Sequence, residues 1–375
     1  MERPAEHLRS LFGKRLRRSI GLDLGSSTVK AVEITLDGRE AALTGMACGI
    51  RRPDEELGET VGRVLGDGRF RGREVTVAVA GRSVVVRYVS MPKAPEADLR
   101  LAMPFEAERL LPFNLEEMRL DCQVLGPRRN AAGELTDEVN VLLAACRRDE
   151  IDERLSLVRN RGLSPRAVDV DLFAVINAWE RARTAAEAVE TQGDEGAAGE
   201  ETVGDRENPS DRSGVALVDI GSQRSTVSVL ADGIPCFSRE IGMGGADMTQ
   251  AIARALGLGT EEAEILKRDP GEREEEVRAA TAGVLEDIGN ELSHSLDYVE
   301  HHEGVRVEVV RVSGGGSLAP GVLAWLEEVI ARSVLAWDPL AELPVAEDAA
   351  GVVDLDLWRP SLAVALGLAW RGLER

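Results

Sequence analysis

One pattern occurs twice in this chain, and it limits the fold more than anything else in the sequence. Ile20-Gly21-Leu22-Asp23-Leu24-Gly25-Ser26 is a short apolar run ending in Asp-x-Gly-Ser. Val215-Ala216-Leu217-Val218-Asp219-Ile220-Gly221-Ser222 has the same shape. After the first copy, Thr28 to Ile34 alternates with period two, Asp37-Gly38 supplies a hairpin turn, and Ala41 to Met46 returns. After the second, Thr226 to Leu230 alternates, Asp232-Gly233 turns, and Ile234 to Ile241 returns. Two β-meanders, roughly two hundred residues apart, read as an internal duplication. The chain has 375 residues, long for one ordinary domain and short for three. A duplicated α/β fold accounts for that length better than two unrelated domains.

The remaining text fills in around the meanders. Helices are expected near 54–66, 97–111 (stopped by Pro112), 149–161 (closed by Gly162) and 171–183. Strands are expected at 74–80, 83–89, 115–126, 138–146 and 166–170. In the second half, helices are expected at 246–256, 261–268, 276–302, 319–334 and 358–371, with a strand at 306–312. Residues 1–18 are basic and interleaved with Leu8, Leu11, Phe12 and Leu16; a solvated leader is favoured over an amphipathic membrane contact. Residues 184–213 carry nine acidic side chains and almost no large apolar one, so they read as a disordered acidic linker.

Composition removes several function classes. The net charge is −21, which disfavours binding to a phosphate backbone. Aromatic residues make up 3 %, too few for base-stacking platforms. Cys48, Cys122, Cys146 and Cys236 form no CxxC, as expected of a reduced compartment. Glu291 and His294 make one ExxH with no second partner set, which reads as a solvated helix face. No apolar run approaches the ~20 residues of a membrane span. A cytoplasmic protein is expected, with no nucleic-acid partner and at most peripheral membrane contact.

The two Asp-x-Gly-Ser turns carry the chemistry. Gly25 and Gly221 let a backbone approach a bound polyanion. Consecutive N–H groups, with the hydroxyls of Ser26, Ser27, Thr28 and Ser222, can donate to phosphate oxygens. Lys30 adds a positive charge there. Asp23 and Asp219, at strand ends, can orient waters around Mg²⁺. Asp219 and Gln223 are the candidates for positioning an attacking water. The spacing is not a Walker A loop, because Gly25 and Lys30 lack the second Gly and the Ser/Thr after Lys. Gly242-Met243-Gly244-Gly245 is not GxGxxG, yet Gly244 and Gly245 open a helix and can approach a nucleotide. Val310 to Ser317 (VRVSGGGS) ends a strand, and Gly314, Gly315, Gly316 and Ser317 leave room for a ribose or a flat ring. Lys267 is placed to project toward the base.

Together these segments resemble the two phosphate loops and adenosine motif of the actin-like ATPase superfamily. Within it the chain resembles the PilM family of type IV pilus assembly proteins. Phe105-Glu106-Ala107-Glu108-Arg109-Leu110-Leu111-Pro112-Phe113 is similar to that family's acidic helix ending in Pro-Phe. Leu120 to Gly126, Ala263 to Lys267 and Glu291 to Tyr298 also fit. The resemblance implies an actin-like fold of two duplicated RNase H-like halves with ATP and Mg²⁺ between them. It implies a first half over 19–89 and 151–183, an inserted subdomain over 90–150 of the type shared with the division protein FtsA, a second half over 214–355, and a C-terminal helix over 356–375 packed on the first half. It further implies a cytoplasmic protein peripheral to the inner membrane, monomeric or weakly self-associating. Such a protein docks the N-terminal cytoplasmic tail of PilN beside the inserted subdomain and couples the PilN–PilO complex to pilus motor ATPases in twitching motility. At most slow ATP turnover is expected. The alternatives are an FtsA-like division or secretion-system protein and a small-molecule kinase. The first normally carries a membrane-binding tail, and a type II secretion counterpart continues into a transmembrane helix; neither is visible in the sequence. The second needs a substrate acid/base, and none is identifiable.

Overall fold

A computed structural model describes residues 16–52, 54–111, 113–130, 134–193, 212–351 and 354–374. In chain order the first part comprises β1 (Arg17–Leu24), β2 (Thr28–Asp37), β3 (Glu40–Ile50), α1 (Leu57–Asp67), β4 (Glu74–Val79), β5 (Val84–Pro92), α2 (Glu96–Leu110), β6 (Met118–Arg129), β7 (Leu135–Arg147), α3 (Arg148–Arg159), β8 (Ser164–Val170) and α4 (Asp171–Gly193). The second comprises β9 (Arg212–Ile220), β10 (Ser225–Ala231), β11 (Ile234–Ile241), α5 (Gly245–Leu256), α6 (Thr260–Arg268), α7 (Glu274–Glu303), β12 (Val305–Ser313), α8 (Val322–Ile330), β13 (Ser333–Ala336), α9 (Leu355–Trp358) and α10 (Ala363–Leu373).

The duplication is visible in the topology. One sheet has the order β3-β2-β1-β4-β8 and another the order β11-β10-β9-β12-β13. In each, a three-stranded antiparallel meander is extended by two parallel strands. A third sheet, β5-β7-β6, carries α2 on one face, where Leu99, Met103 and Ala107 pack on Val141 and Leu143. This third unit lies between β4 and β8 in the chain, as an insertion in the first half.

Period-two alternation divides each central strand between two cores. Ile20, Leu22, Val29, Ala31, Val75 and Val77 face a core closed by Val61 and Val64 of α1. Val32, Ile34 and Ala78 face the opposite way, toward α4 and α10. Leu217 and Leu230 of the second sheet enter this same core. The other side of the second sheet (Ala216, Val218, Ile220, Val227) is covered by Leu285, Ile288 and Leu292 of α7 and Leu326 of α8. So α4 and α10 lie between the two sheets, and one core belongs to both halves. Trp179 of α4 meets Trp337 edge-on at 5.5 Å within it.

Small residues allow the close approach of α10. A Cβ on Gly21 would lie 1.9 Å from the Ala365 carbonyl oxygen, and one on Gly367 would lie 1.7 Å from that of Ala174.

Several expectations are corrected. The acidic stretch 184–213 begins as helix, because α4 continues to Gly193. Thr184-Ala185-Ala186-Glu187-Ala188 is good helix-forming sequence appended to an existing helix, so no new nucleation is needed. Residues 194–211 lie outside the described residues. The strand expected to start after residue 18 includes Arg17, whose guanidinium donates to the Leu373 carbonyl; the rest of the leader, 1–15, and Pro112 lie outside the described residues. The single helix expected over 319–334 ends at Ile330. Ala331 turns left-handed (φ 51°), and Ser333–Ala336 adds to the sheet beside β12. That edge strand is set by pairing, which local periodicity does not report. The strand expected from 115 begins at Met118, after a turn of 3₁₀ helix.

Candidate functional site

Two loops face each other across the cleft between the halves. Asp23 and Lys30 stand opposite each other in the β1–β2 pairing, as Asp219 and Thr226 do in β9–β10. The equivalence reaches the turn backbone. A Cβ on Gly25 would meet the Thr28 carbonyl oxygen at 2.6 Å, and one on Gly221 would meet that of Arg224 at 2.8 Å. In the first loop, Arg51 holds the turn through bonds to the carbonyls of Ser26 (3.1 Å) and Ser27 (2.8 Å).

Lys30 is a buried strand residue rather than a loop residue, and its Nζ donates to Asp23 Oδ2 at 2.6 Å. Burial by itself would depress its pKa. The charges of Asp23 and, from the other half, Asp219 outweigh that and hold it above the ordinary lysine value. Asp219 accepts from Ser313 Oγ at 3.0 Å. Burial pushes its pKa up to about 6, against the opposing pull of Lys30.

The structure adds two residues that the sequence reading missed. Asp171 opens α4 directly after β8, so a second strand of the first half, the third in the cleft, also ends in a carboxylate. Burial, with Asp219 and Asp23 nearby, pushes its pKa up to about 7, while Arg224 pulls the other way. Arg224 sits in the second loop and pairs with Asp171 at 3.3 Å and with Glu240 at 3.4 Å. The only sequence signal for Asp171 was an acid at a strand-to-helix junction. Nothing local marked Arg224.

Two glycine segments converge on the second loop. Gly245 and Ala246 donate their N–H groups to the carbonyls of Gly221 (2.9 Å) and Ser222 (2.7 Å). Gly314 has φ 90°, and a Cβ there would lie 2.4 Å from the Ile220 carbonyl oxygen. Gly316 packs on the Ile220 side chain, Ser317 Oγ donates to the Gly314 carbonyl at 2.7 Å, and the space around Gly315 is open. Gln223 is exposed at the loop tip. Lys267 departs from the expectation of a free reach toward a base. Its ammonium is buried and donates to Gly245 O, Thr249 Oγ1 and Glu264 Oε2 at 2.7–2.8 Å, tying α6 to the glycine turn. Burial, only partly offset by Glu264, lowers its pKa.

The donor set fits a hydrated divalent cation with a polyphosphate. Asp23, Asp219 and Asp171 outnumber Lys30 and Arg224, and the excess carboxylate is desolvated. No cluster of three or more His, Cys, Asp or Glu positioned to ligate a metal directly occurs among the described residues. His294 is exposed and Glu291 pairs with Arg239, so the ExxH is a helix face.

A second cavity, about 630 Å³, lies between the inserted sheet and the first half. Leu142, Ala144, Val170 and Phe173 form apolar wall. Asp121, Asp169, Glu180 and Glu374 outnumber Arg119 and Arg371 among its charged groups, and Pro235 of β11 closes it from the second half. Burial raises the pKa of Asp169 and of Glu180.

A family model described as type IV pilus assembly protein PilM matches residues 21–373. The chain belongs to that family. Its structure is similar to one solved in a PilM–PilN type IV pilus biogenesis complex, with TM-score 0.77, 29% sequence identity, and coverage of 95% of this chain and 99% of that one. It also matches the ethanolamine utilization protein EutJ from Carboxydothermus hydrogenoformans, with TM-score 0.50, 14% identity, and coverage of 94% of this chain and 89% of that one; this likeness bears on fold alone. The fold of this PilM-family chain is the actin-like ATPase fold. No helix among the described residues is long and apolar enough to cross a membrane.

Proposed function

We propose that this protein is a nucleotide-regulated scaffold of the type IV pilus inner-membrane assembly complex. It binds ATP with Mg²⁺ between its halves and holds the N-terminal cytoplasmic tail of PilN in the groove beside the inserted subdomain. The observation that carries this reading is the pairing of a desolvated acid–lysine cleft with a separate apolar groove of acidic balance.

In the cleft, the turns at Gly25–Thr28 and Gly221–Ser222 supply phosphate donors, and Lys30 supplies charge from below. Asp23 and Asp219 orient waters of the cation. Gly244, Gly245 and Gly314–Ser317 flank the nucleoside end. Bound Mg-ATP supplies the negative phosphate charge and a labile γ-phosphate. Asp171, paired with Arg224 in this structure, is the side chain suited to orient a water, and turnover is at most slow.

In the groove, apolar side chains of a peptide bury against Val170 and Phe173, and basic ones meet Asp169 and Glu180. Through PilN the protein would connect PilN–PilO to the motor ATPases from the cytoplasmic side, as a monomer or weak self-associate. The units 19–89 with 151–183 and the C-terminal helix over 356–375, 90–150, and 214–355 serve as cleft wall, groove wall and moving half.

A pull-down with the PilN cytoplasmic tail, with and without Mg-ATP, tests this. Capture in at least one state is expected. No capture in either state, or no ATP binding by calorimetry, would overturn it.

A further inference from the structure

The groove and the cleft share one strand. β11 spans Ile234–Ile241, roughly 23 Å end to end at ordinary strand rise. Near its start, Pro235 forms part of the groove wall. At its other end Glu240 pairs with Arg224 of the second loop, and Ile241 pairs with Ser225. The chain then enters Gly242–Gly245 directly, where Gly245 bonds to Gly221.

Midway, the strand touches the inserted subdomain. Ser238 Oγ lies 2.9 Å from Tyr88 Oη on β5, and also 3.1 Å from Ser228 Oγ on its own sheet. Tyr88 stands opposite Leu142 in the β5–β7 pairing, and Leu142 lines the groove. Burial holds the Tyr88 phenol above its ordinary pKa, so it stays a neutral hydroxyl and a fixed partner. Arg224 also reaches back to Asp171 of the first half. The groove is therefore closed partly by the half that carries the second phosphate loop, and any movement of that half against the first shifts Pro235 and strains the Tyr88–Ser238 contact.

We propose that β11 is the element through which nucleotide in the cleft and peptide in the groove alter each other's affinity, with Tyr88–Ser238 as the contact that transmits the change. This rests on the reading of the two sites given above. Phosphate charge at the second loop competes with Asp171 and Glu240 for Arg224 and so favours a different setting of the halves. That setting moves Pro235 relative to Leu142 and alters the groove. Linkage requires the reverse effect to be equal in size.

The test is a binding cycle on the full chain. Anisotropy of a labelled synthetic peptide of the PilN cytoplasmic tail gives its affinity with and without saturating Mg-ATP, in the wild type and in Tyr88→Phe. This variant removes one hydroxyl, keeps the ring, and leaves Ser238 bonded to Ser228. The wild-type peptide Kd should change at least about fivefold between the two states. In Tyr88→Phe the change should shrink to less than about twofold, while peptide affinity without nucleotide and ATP affinity without peptide stay near wild type. A wild type that binds both ligands independently, or a Tyr88→Phe protein with undiminished coupling, would overturn the role of β11 and leave the docking function standing. A wild type that binds no peptide in either state would overturn both.

Discussion

Lys30 and Asp23 face each other on adjacent strands with 2.6 Å between ammonium and carboxylate, and Asp219 of the other half acts on the same ammonium. One lysine thus neutralises carboxylates from both copies of the duplicated motif. The second copy has Thr226 at the corresponding position, so the charge is supplied once.

Replacing Lys30 with Met keeps the volume and removes the charge. Asp23 and Asp219, both half-buried, then lose the ammonium that lies between them, leaving Arg224 as the remaining positive charge near Asp219. A cost of about 3 kcal/mol in stability is expected, together with a loss of ATP affinity of at least about tenfold. Chemical denaturation and calorimetry on the same sample measure the two. A variant with wild-type ATP affinity would show that Lys30 is structural only.

Asp171 gives a pH signature. Its unfolded-state pKa is near 3.8 and its folded value is about 7, so between those values the folded state binds more protons. Ionisation is disfavoured in the folded protein, and this group's contribution to stability falls as pH rises from about 4 to about 7. Asp171→Asn removes that slope. Relative to wild type, the variant should lose ground at pH 4 and gain about 1–2 kcal/mol by pH 8, after allowance for the lost Arg224 pair. Urea midpoints across that range test it; parallel pH profiles would contradict it.

Gly314 cannot be replaced without local rearrangement. Its φ of 90° disfavours any side chain, and a Cβ would collide with the Ile220 backbone. Gly314→Ala should cost at least about 2 kcal/mol and weaken nucleotide binding, whereas Gly315→Ala, in open space, should be close to neutral in stability. Thermal melting of the pair separates strain from a generic effect of losing a loop glycine.

Filling the groove should separate its role from that of the cleft. Ala144→Phe projects a ring into the space that Phe173 and Val170 line. Peptide affinity should fall by about tenfold or more, and ATP affinity measured without peptide should stay within twofold. Equal loss of both would indicate that the substitution disturbs the fold.

The closeness of α10 to its neighbours is also testable. Gly367→Ala places a methyl against the Ala174 carbonyl, so α10 must shift away from α4 in the core that both halves share. Overpacking of this kind costs about 1–3 kcal/mol. A lowered melting temperature is expected, and an unchanged one would mean that the shared core yields freely.

Much of the fold was legible in the chain because it rests on local signals. Short apolar runs marked β1 and β9, period-two alternation marked β2 and β10, the Asp-Gly pairs marked their hairpins, and repetition of Asp-x-Gly-Ser marked the duplication. Gly244–Gly245 and Gly314–Gly316 were legible for the same reason, since close backbone approach calls for glycine wherever it occurs. The end of α8 and the edge strand β13 were not legible, because pairing with β12 overrides a helical pattern there.

The sequence alone therefore determined two meanders, the Asp-x-Gly-Ser turns within them and the glycine segments that accompany them, all properties of neighbours along the chain. Tertiary structure decided what those pieces meet. It buried Lys30 between Asp23 and Asp219, turned Lys267 inward onto Gly245, brought Asp171 and Arg224 together across 53 residues, and closed the groove with Pro235 from the far half. Such contacts depend on how sheets and helices stack, and electrostatic shifts depend on the burial that stacking creates. No local pattern of residues encodes either.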